Sequence, residues 1–152
     1  MSKKIEMVMV EKGIRCVVEL LEDEAPKTCK AVLEFLPREM DFINAQGSGA
    51  EALTYLDPPN IIRLEPENLE HNALPGDVFY WYAAGPVQHT SSYAGTSTTD
   101  YAELAYCYDR KARFVGMNLF GVMTEGKEGF CAASRSIPSE GPIRILMREL
   151  KE

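Results

Sequence analysis

The chain has 152 residues, about the length of one domain, and a domain of this size buries roughly 70% of the surface of its unfolded chain without disulfides or metal. With 45% hydrophobic and 26% charged residues it has the make-up of a folded globule, which excludes the disordered and fibrous classes. The excess of 23 acidic over 16 basic residues, a net charge of -7, repels a phosphate backbone. No Lys/Arg stripe offsets that charge, so nucleic acid is not an expected partner.

The amino-terminal stretch MSKKIEMVMVEKG alternates polar and apolar residues, which is a strand pattern and not the apolar core of a signal peptide. Ile5, Met7 and Met9 alternate with Glu6 and Val8. After a tight turn at Lys12 and Gly13, Ile14, Cys16, Val18 and Leu20 continue with period two. The second strand is apolar on both faces around Val17 and Val18, so it is expected to be central and buried.

Pro26 suits the first turn of a helix, with Glu22, Asp23 and Glu24 at its positive end. Cys29, Val32, Leu33 and Leu36 recur at helical spacing, and Pro37 stops the helix. From Arg38 to Asn60 the chain reads as loop-rich: NAQGSGAEA has the small and polar residues of a turn, and LDPPN reads as extended backbone.

Ile61 to Leu64 is expected to be a short strand and PENLEHNALPG a surface connection. The segment DVFYWYAAG, Asp77 to Gly85, follows as a strongly apolar, aromatic strand. GPVQHTSSYAGTSTTD has no periodicity, and a long polar loop after a buried strand is a frequent place for a binding site. YAELAYCYD, ARFVGMNLFGVM and PIRILMREL supply three or four more strands, and TEGKEGFCAASRSI a short helix or turn.

Seven or eight short strands with one good helix and one poor one predict a mainly β fold: a closed or nearly closed antiparallel β-barrel, one domain over residues 1–152, with its open ends covered by the helices. The longest apolar run, Val78 to Val87, is about half a membrane span, so a cytoplasmic protein with no membrane partner is expected. Cys16, Cys29, Cys107 and Cys131 lie in apolar surroundings with no Cys-x-x-Cys spacing and read as buried, reduced thiols. His71 and His89 stand apart without Cys or carboxylate partners at ligand spacing, so neither a metal nor another cofactor is expected.

Three blocks in order carry a family resemblance. IRCVVELLEDEAPKTCKAVLEFL resembles the second strand and first helix of cyclophilins, ENLEHNALPGDVFYWYAAGP their central Gly-led strand with its Ala-Gly-Pro exit, and LFGVMTEGKEG their Phe-Gly strand with a Gly-containing helix start. The closing IRILMREL sits where their last strand would be. Gly121 after Phe120 suits a close approach of two strands. PGDVFYW followed by GMNLFGVMTEG is similar to a bacterial and archaeal branch of cyclophilin-like domains of unknown function, which keeps the barrel and lacks the isomerase signature.

The resemblance implies an isomerase site only in part. The arginine of cyclophilins supports isomerisation by hydrogen bonding to the prolyl amide and lowering its barrier to rotation. Arg38 lies eight residues before Gln46, which is the family's interval. Against that match, GPVQHTSSYAG contains no Gln-Phe-Phe, Ala112 and Met117 stand where the family's Trp and His would fall, and Tyr82 takes the place of a small pocket residue.

The residues point to other candidates. His89, in the polar loop, is an acid, base or ligand contact, or a solvated loop histidine. Arg113 lies on a predicted strand between Ala112 and Phe114, as an anion contact or an ordinary outward-facing arginine. Tyr80 and Tyr82 share one strand face and Phe79 and Trp81 the other, so one pair is core and the other lines a cavity or an interface. Asn118 is a strand-end turn residue or a cavity amide. The expected partner is a small molecule or peptide bound beside strand 79–82. The alternatives are a divergent peptidyl-prolyl isomerase using Arg38 and a non-catalytic module that forms a homo-oligomer.

Overall fold

The computed structural model describes residues 2–84 and 100–151, and only the backbone of residues 87–88 and 96–97. In chain order the elements are β1 (Lys4–Met9), β2 (Arg15–Leu20), α1 (Pro26–Phe35), β3 (Arg38–Asn44), β4 (Gly49–Tyr55), β5 (Leu69–Glu70), β6 (Asp77–Ala83), β7 (Val87–Gln88), β8 (Thr96–Ser97), β9 (Tyr101–Ala112), β10 (Met117–Glu125), α2 (Lys127–Ser134), α3 (Ile137–Glu140) and β11 (Ile143–Leu150). Neighbouring strands run β2-β1-β11-β3-β4-β9-β6-β10, and β10 pairs with β2 again. Among the described residues this closes an antiparallel barrel of eight strands, with β5 appended to β10 and β7–β8 as a separate ribbon.

The β1–β2 hairpin forms as its alternation predicts, with the Gly13 N–H donating to the Met9 carbonyl across the turn. Val17 and Val18 are both buried because β2 lies between β1 and β10. At Gly121 a Cβ would lie 2.6 Å from Val18 Cγ1, so a side chain there would force apart the strands that close the barrel.

Strand alternation splits the apolar residues into two cores. The larger fills the barrel with Met7, Val18, Phe42, Tyr80, Tyr106 and Phe120 among others, and α1 and α2 add Cys29, Val32, Phe130 and Cys131 to it. The smaller lies outside the barrel wall on β4, β9 and β6, where Leu53, Phe79, Ala105 and Cys107 pack with Phe114 and Met117. The four cysteines are free and buried. Burial drives their thiols up, Cys16 and Cys29 to about 12 and Cys107 to about 11. Among the described residues no helix is long and apolar enough to cross a membrane.

The structure corrects several local expectations. Residues 38–60 are not mainly loop: β3 starts directly after Pro37, β4 follows, and Pro58–Asn60 is a short 3-10 turn. The polar residues of β3 that suggest a loop are the exposed face of a strand whose Phe42 enters the core. Ile61–Leu64 forms no strand, because its backbone bonds to a tyrosine side chain instead of a ladder. The anion at the start of α1 is not one of the acids at 22–24. Glu67, from the connection before β5, accepts from the backbone N–H groups of Lys27 (3.2 Å) and Thr28 (2.8 Å) and from Thr28 Oγ1 (2.8 Å). Burial works against its charge, but those bonds and the neighbouring Lys27 hold its carboxyl below the ordinary range.

Candidate functional site

Most of the sequence-predicted site residues do not converge on one place. Tyr80 is fully buried inside the barrel, where its hydroxyl donates to the Ile62 carbonyl (2.5 Å) and accepts from the Ile62 N–H (3.0 Å). Asn118 lies opposite Tyr80 in the β10–β6 pairing and is also buried. Its Oδ1 accepts from the Glu67 N–H, and its Nδ2 donates to Thr28 Oγ1 and the Glu65 carbonyl. These two candidates therefore meet, and both hold the 61–67 connection and the start of α1 against the barrel.

Tyr82 is half-buried and donates to Asp100 Oδ2 (3.0 Å), which also pairs with Arg63 (2.9 Å). Arg113 is exposed and lies beyond the end of β9, not on a strand, with its backbone N–H bonded to the Ser48 carbonyl. β9 ends at Ala112 because the chain turns there to enter β10. His89 lies outside the described residues. Arg38 opens β3, is exposed, stacks 4.6 Å over the Phe35 ring and donates to the Phe35 carbonyl. Gln46 is exposed beyond the far end of β3, so a strand rise of ~3.3 Å per residue holds it on the order of 20 Å from Arg38.

A different cluster gathers on the outer face of β4, β9 and β6. Glu103, on β9, lies between its cross-strand partners Tyr55 of β4 and Trp81 of β6. Glu51, on β4, points to the same face and shares a hydrogen bond with Glu103. Both carboxyls are withdrawn from solvent, with exposures of 2% for Glu51 and 4% for Glu103. The Tyr101 hydroxyl donates to Glu103 Oε2 and is hydrogen-bonded to Tyr55. The Tyr101 ring packs edge-on to Trp81 and Tyr55, with centroids 5.0 and 5.4 Å away. Tyr55 stays 48% exposed, so the aromatic rim opens to solvent there.

The local backbone explains how the two glutamates meet. The β4–β9 register shifts between Gly49 and Glu51, beside Lys111, whose φ of 67° is left-handed. A Cβ at Gly49 would lie 2.3 Å from the Lys111 carbonyl oxygen, so the close approach requires glycine. The shift sets Glu51 opposite Cys107 and leaves small Ala105 between the two carboxyl-bearing positions.

Two interacting carboxyls withdrawn from water cannot both ionise at ordinary cost. Burial, then the charge and hydrogen bond of Glu51, push Glu103 well above the usual carboxylate range. Burial also raises Glu51, against hydrogen bonds from Glu103 and Ser48 that lower it. Both carboxyls are therefore held toward their protonated forms, Glu103 the more strongly. Burial and then the Glu103 charge also raise Tyr101, so it remains a donor. One oxygen of the pair is left over: Glu51 Oε2 is buried and has no hydrogen-bond partner. A buried acceptor of this kind calls for a donor. Among the described residues no group of three or more His, Cys, Asp or Glu stands ready to hold a metal.

Sequence reasoning passes over Glu51, Glu103, Tyr55 and Tyr101. Their signal is a lone glutamate inside each of two otherwise apolar strands, GAEALTY and YAELAYCY.

A family model described as a protein of unknown function, DUF3830, matches residues 7–147, and the chain belongs to that family. No curated protein matches it. Among solved structures the chain is similar to McbB in complex with tryptophan (TM-score 0.70, 18% identity), covering 97% of this chain and 45% of that one. It thus spans less than half the length of McbB. It is also similar to a hypothetical protein of Archaeoglobus fulgidus (TM-score 0.56, 19% identity, 98% and 95% covered). A third likeness is to a cyclophilin-type peptidyl-prolyl cis-trans isomerase of Cryptosporidium parvum (TM-score 0.54, 11% identity, 100% and 99% covered). The fold is cyclophilin-like, as the three sequence blocks imply.

Proposed function

From the make-up of this outer face, we propose that the chain binds a small organic molecule or short peptide beside strand 79–82, without the usual isomerase machinery. The observation that carries the reading is Glu51 Oε2, a buried carboxyl oxygen with no hydrogen-bond partner, on the same face as the buried Glu103. Leaving such an oxygen unpaired costs about 1–3 kcal/mol or more in the free protein, a cost that a bound ligand offering a donor would offset. The open Tyr55 rim and the Trp81 and Tyr101 rings supply the apolar contact that a small organic body needs. McbB, solved with tryptophan, adds the support of a similar fold that holds a small aromatic molecule.

The similarity to a cyclophilin-type isomerase favours a second reading, a divergent prolyl isomerase using Arg38. The engagement of that guanidinium by Phe35 speaks against it.

Trp81 is the chain's sole tryptophan, so its fluorescence reports on this face directly. A screen of amino acids, amines, organic acids and short peptides is expected to find a class that shifts Trp81 emission saturably, with weaker binding in Tyr101→Phe. Silence from every class would sink the ligand-binding reading. In parallel, a cis-prolyl peptide is expected to isomerise at its uncatalysed rate, over tens of seconds. Acceleration lost in Arg38→Ala would install the isomerase in its place. A Trp81 signal that depends on protein concentration alone, with a larger mass on gel filtration, would indicate the homo-oligomeric module.

A further inference from the structure

We propose that the outer-face site takes an organic cation, a primary amine on an aromatic or aliphatic body, with its ammonium seated on Glu51 and its body against Trp81 and Tyr101. The proposal rests on the ligand-binding reading above and names the class of ligand.

Three observations select a cation. First, the unpartnered group is an acceptor: a carboxylate oxygen of a residue 2% exposed. Only a donor satisfies it, and a charged donor does so about twice as strongly as a neutral one. Second, no lysine or arginine of the described residues pairs with either carboxyl. A cation would supply the missing countercharge, whereas an anionic ligand would be repelled. Third, Tyr55 and Trp81 flank Glu103 across the sheet and pack against Tyr101, and an aromatic face, tryptophan's above all, attracts an ammonium within about 6 Å of its centroid. An inorganic divalent cation fits less well, because calcium alone takes roughly 6–8 oxygen ligands and the described residues offer no cluster of that kind.

The test uses three probes that share one ring and differ only at the end of the chain: phenethylamine, 2-phenylethanol and 3-phenylpropionate. Each is titrated into the full chain with Trp81 fluorescence as the readout. The amine is expected to bind at least about tenfold more tightly than the alcohol, with the carboxylate weakest. Glu51→Gln is expected to abolish that preference, leaving the amine no tighter than the alcohol. Glu103→Gln copies the shape of the protonated acid and leaves the Glu51 charge in place, so it should keep the preference. Melting of each variant by circular dichroism checks that it is folded.

Equal binding of amine and alcohol, or an amine preference that survives Glu51→Gln in a folded protein, would overturn the cation assignment. If the amine fails while another class from the wider screen shifts Trp81, the binding site stands and the cation assignment falls. If nothing shifts Trp81, both fall together.

Discussion

Tyr80 carries a hydroxyl into an apolar barrel, and that hydroxyl finds both polar groups of one residue, Ile62. Burial raises its pKa, so it stays a neutral donor and acceptor. Tyr80→Phe removes no ring packing but orphans the Ile62 N–H and carbonyl. It is expected to cost about 1–2 kcal/mol by chemical denaturation. It should also speed amide exchange at Ile62. Protection unchanged at Ile62 would show that solvent already serves those groups. The same reasoning sets Glu51 apart, since its leftover oxygen has no such residue to meet.

At the scale of elements, α1 depends on a segment distant in sequence. Its N-cap residue, Ala25, offers no side-chain bond, and no acid lies in its first turn. Glu67 supplies both the acceptor and the charge, and Asn118 Oδ1 fixes Glu67 by accepting from the Glu67 backbone N–H. Glu67→Ala is therefore expected to destabilise the fold by about 1–2 kcal/mol, the loss of a cap with its charge at a helix start. In a chain of this length that lowers the melting temperature by roughly 2–4 °C per kcal/mol. Because the Glu67 pKa is lowered on folding, its contribution is present above the unfolded pKa and fades as pH falls through the folded one. The deficit of Glu67→Ala, measured by thermal melts, should accordingly shrink in acid. A deficit that does not change with pH would mean that the helix is held by packing alone.

For the whole molecule, two sets of carboxyls act in opposite directions as pH changes. Glu6 is buried between Arg15 (2.7 Å) and Arg148 (2.5 Å) on β1, and Glu67 caps α1. Burial opposes the charge on Glu6, but the two arginines outweigh it, so both groups support folding above the unfolded pKa. Glu51 and Glu103 do the reverse. Their raised folded values mean that stability is fully present below the unfolded pKa and is lost as pH rises through the folded values.

The difference in melting temperature between Glu103→Gln and the parent chain isolates the pair. It is expected to be near zero at about pH 4.5 and to grow in favour of the variant toward about pH 8.5. The gain there should be on the order of 1 kcal/mol, because a neutral amide replaces one of two confined acids. A flat difference across that range would mean that the two carboxyls do not share a proton.

How much of this was legible beforehand depends on how far each feature reaches along the chain. Alternation in residues 4–20, the Pro26-led stripe of α1 and the aromatic strand at 77–83 are local patterns, and the sequence by itself determined those elements, the buried thiols and the cyclophilin-like barrel. Where polar side chains disguise the exposed face of a barrel strand, as in β3, the local pattern misleads. Only the tertiary structure decided that Tyr80 is a strut, that Glu67 caps a helix far from it in sequence, and that Glu51 and Glu103 are buried on one face. Each of those facts depends on contacts between segments that are remote along the chain. The Gly49 and Lys111 irregularity sets the β4–β9 register that places Glu51, and a carboxyl's chemistry follows from which neighbours it is buried against.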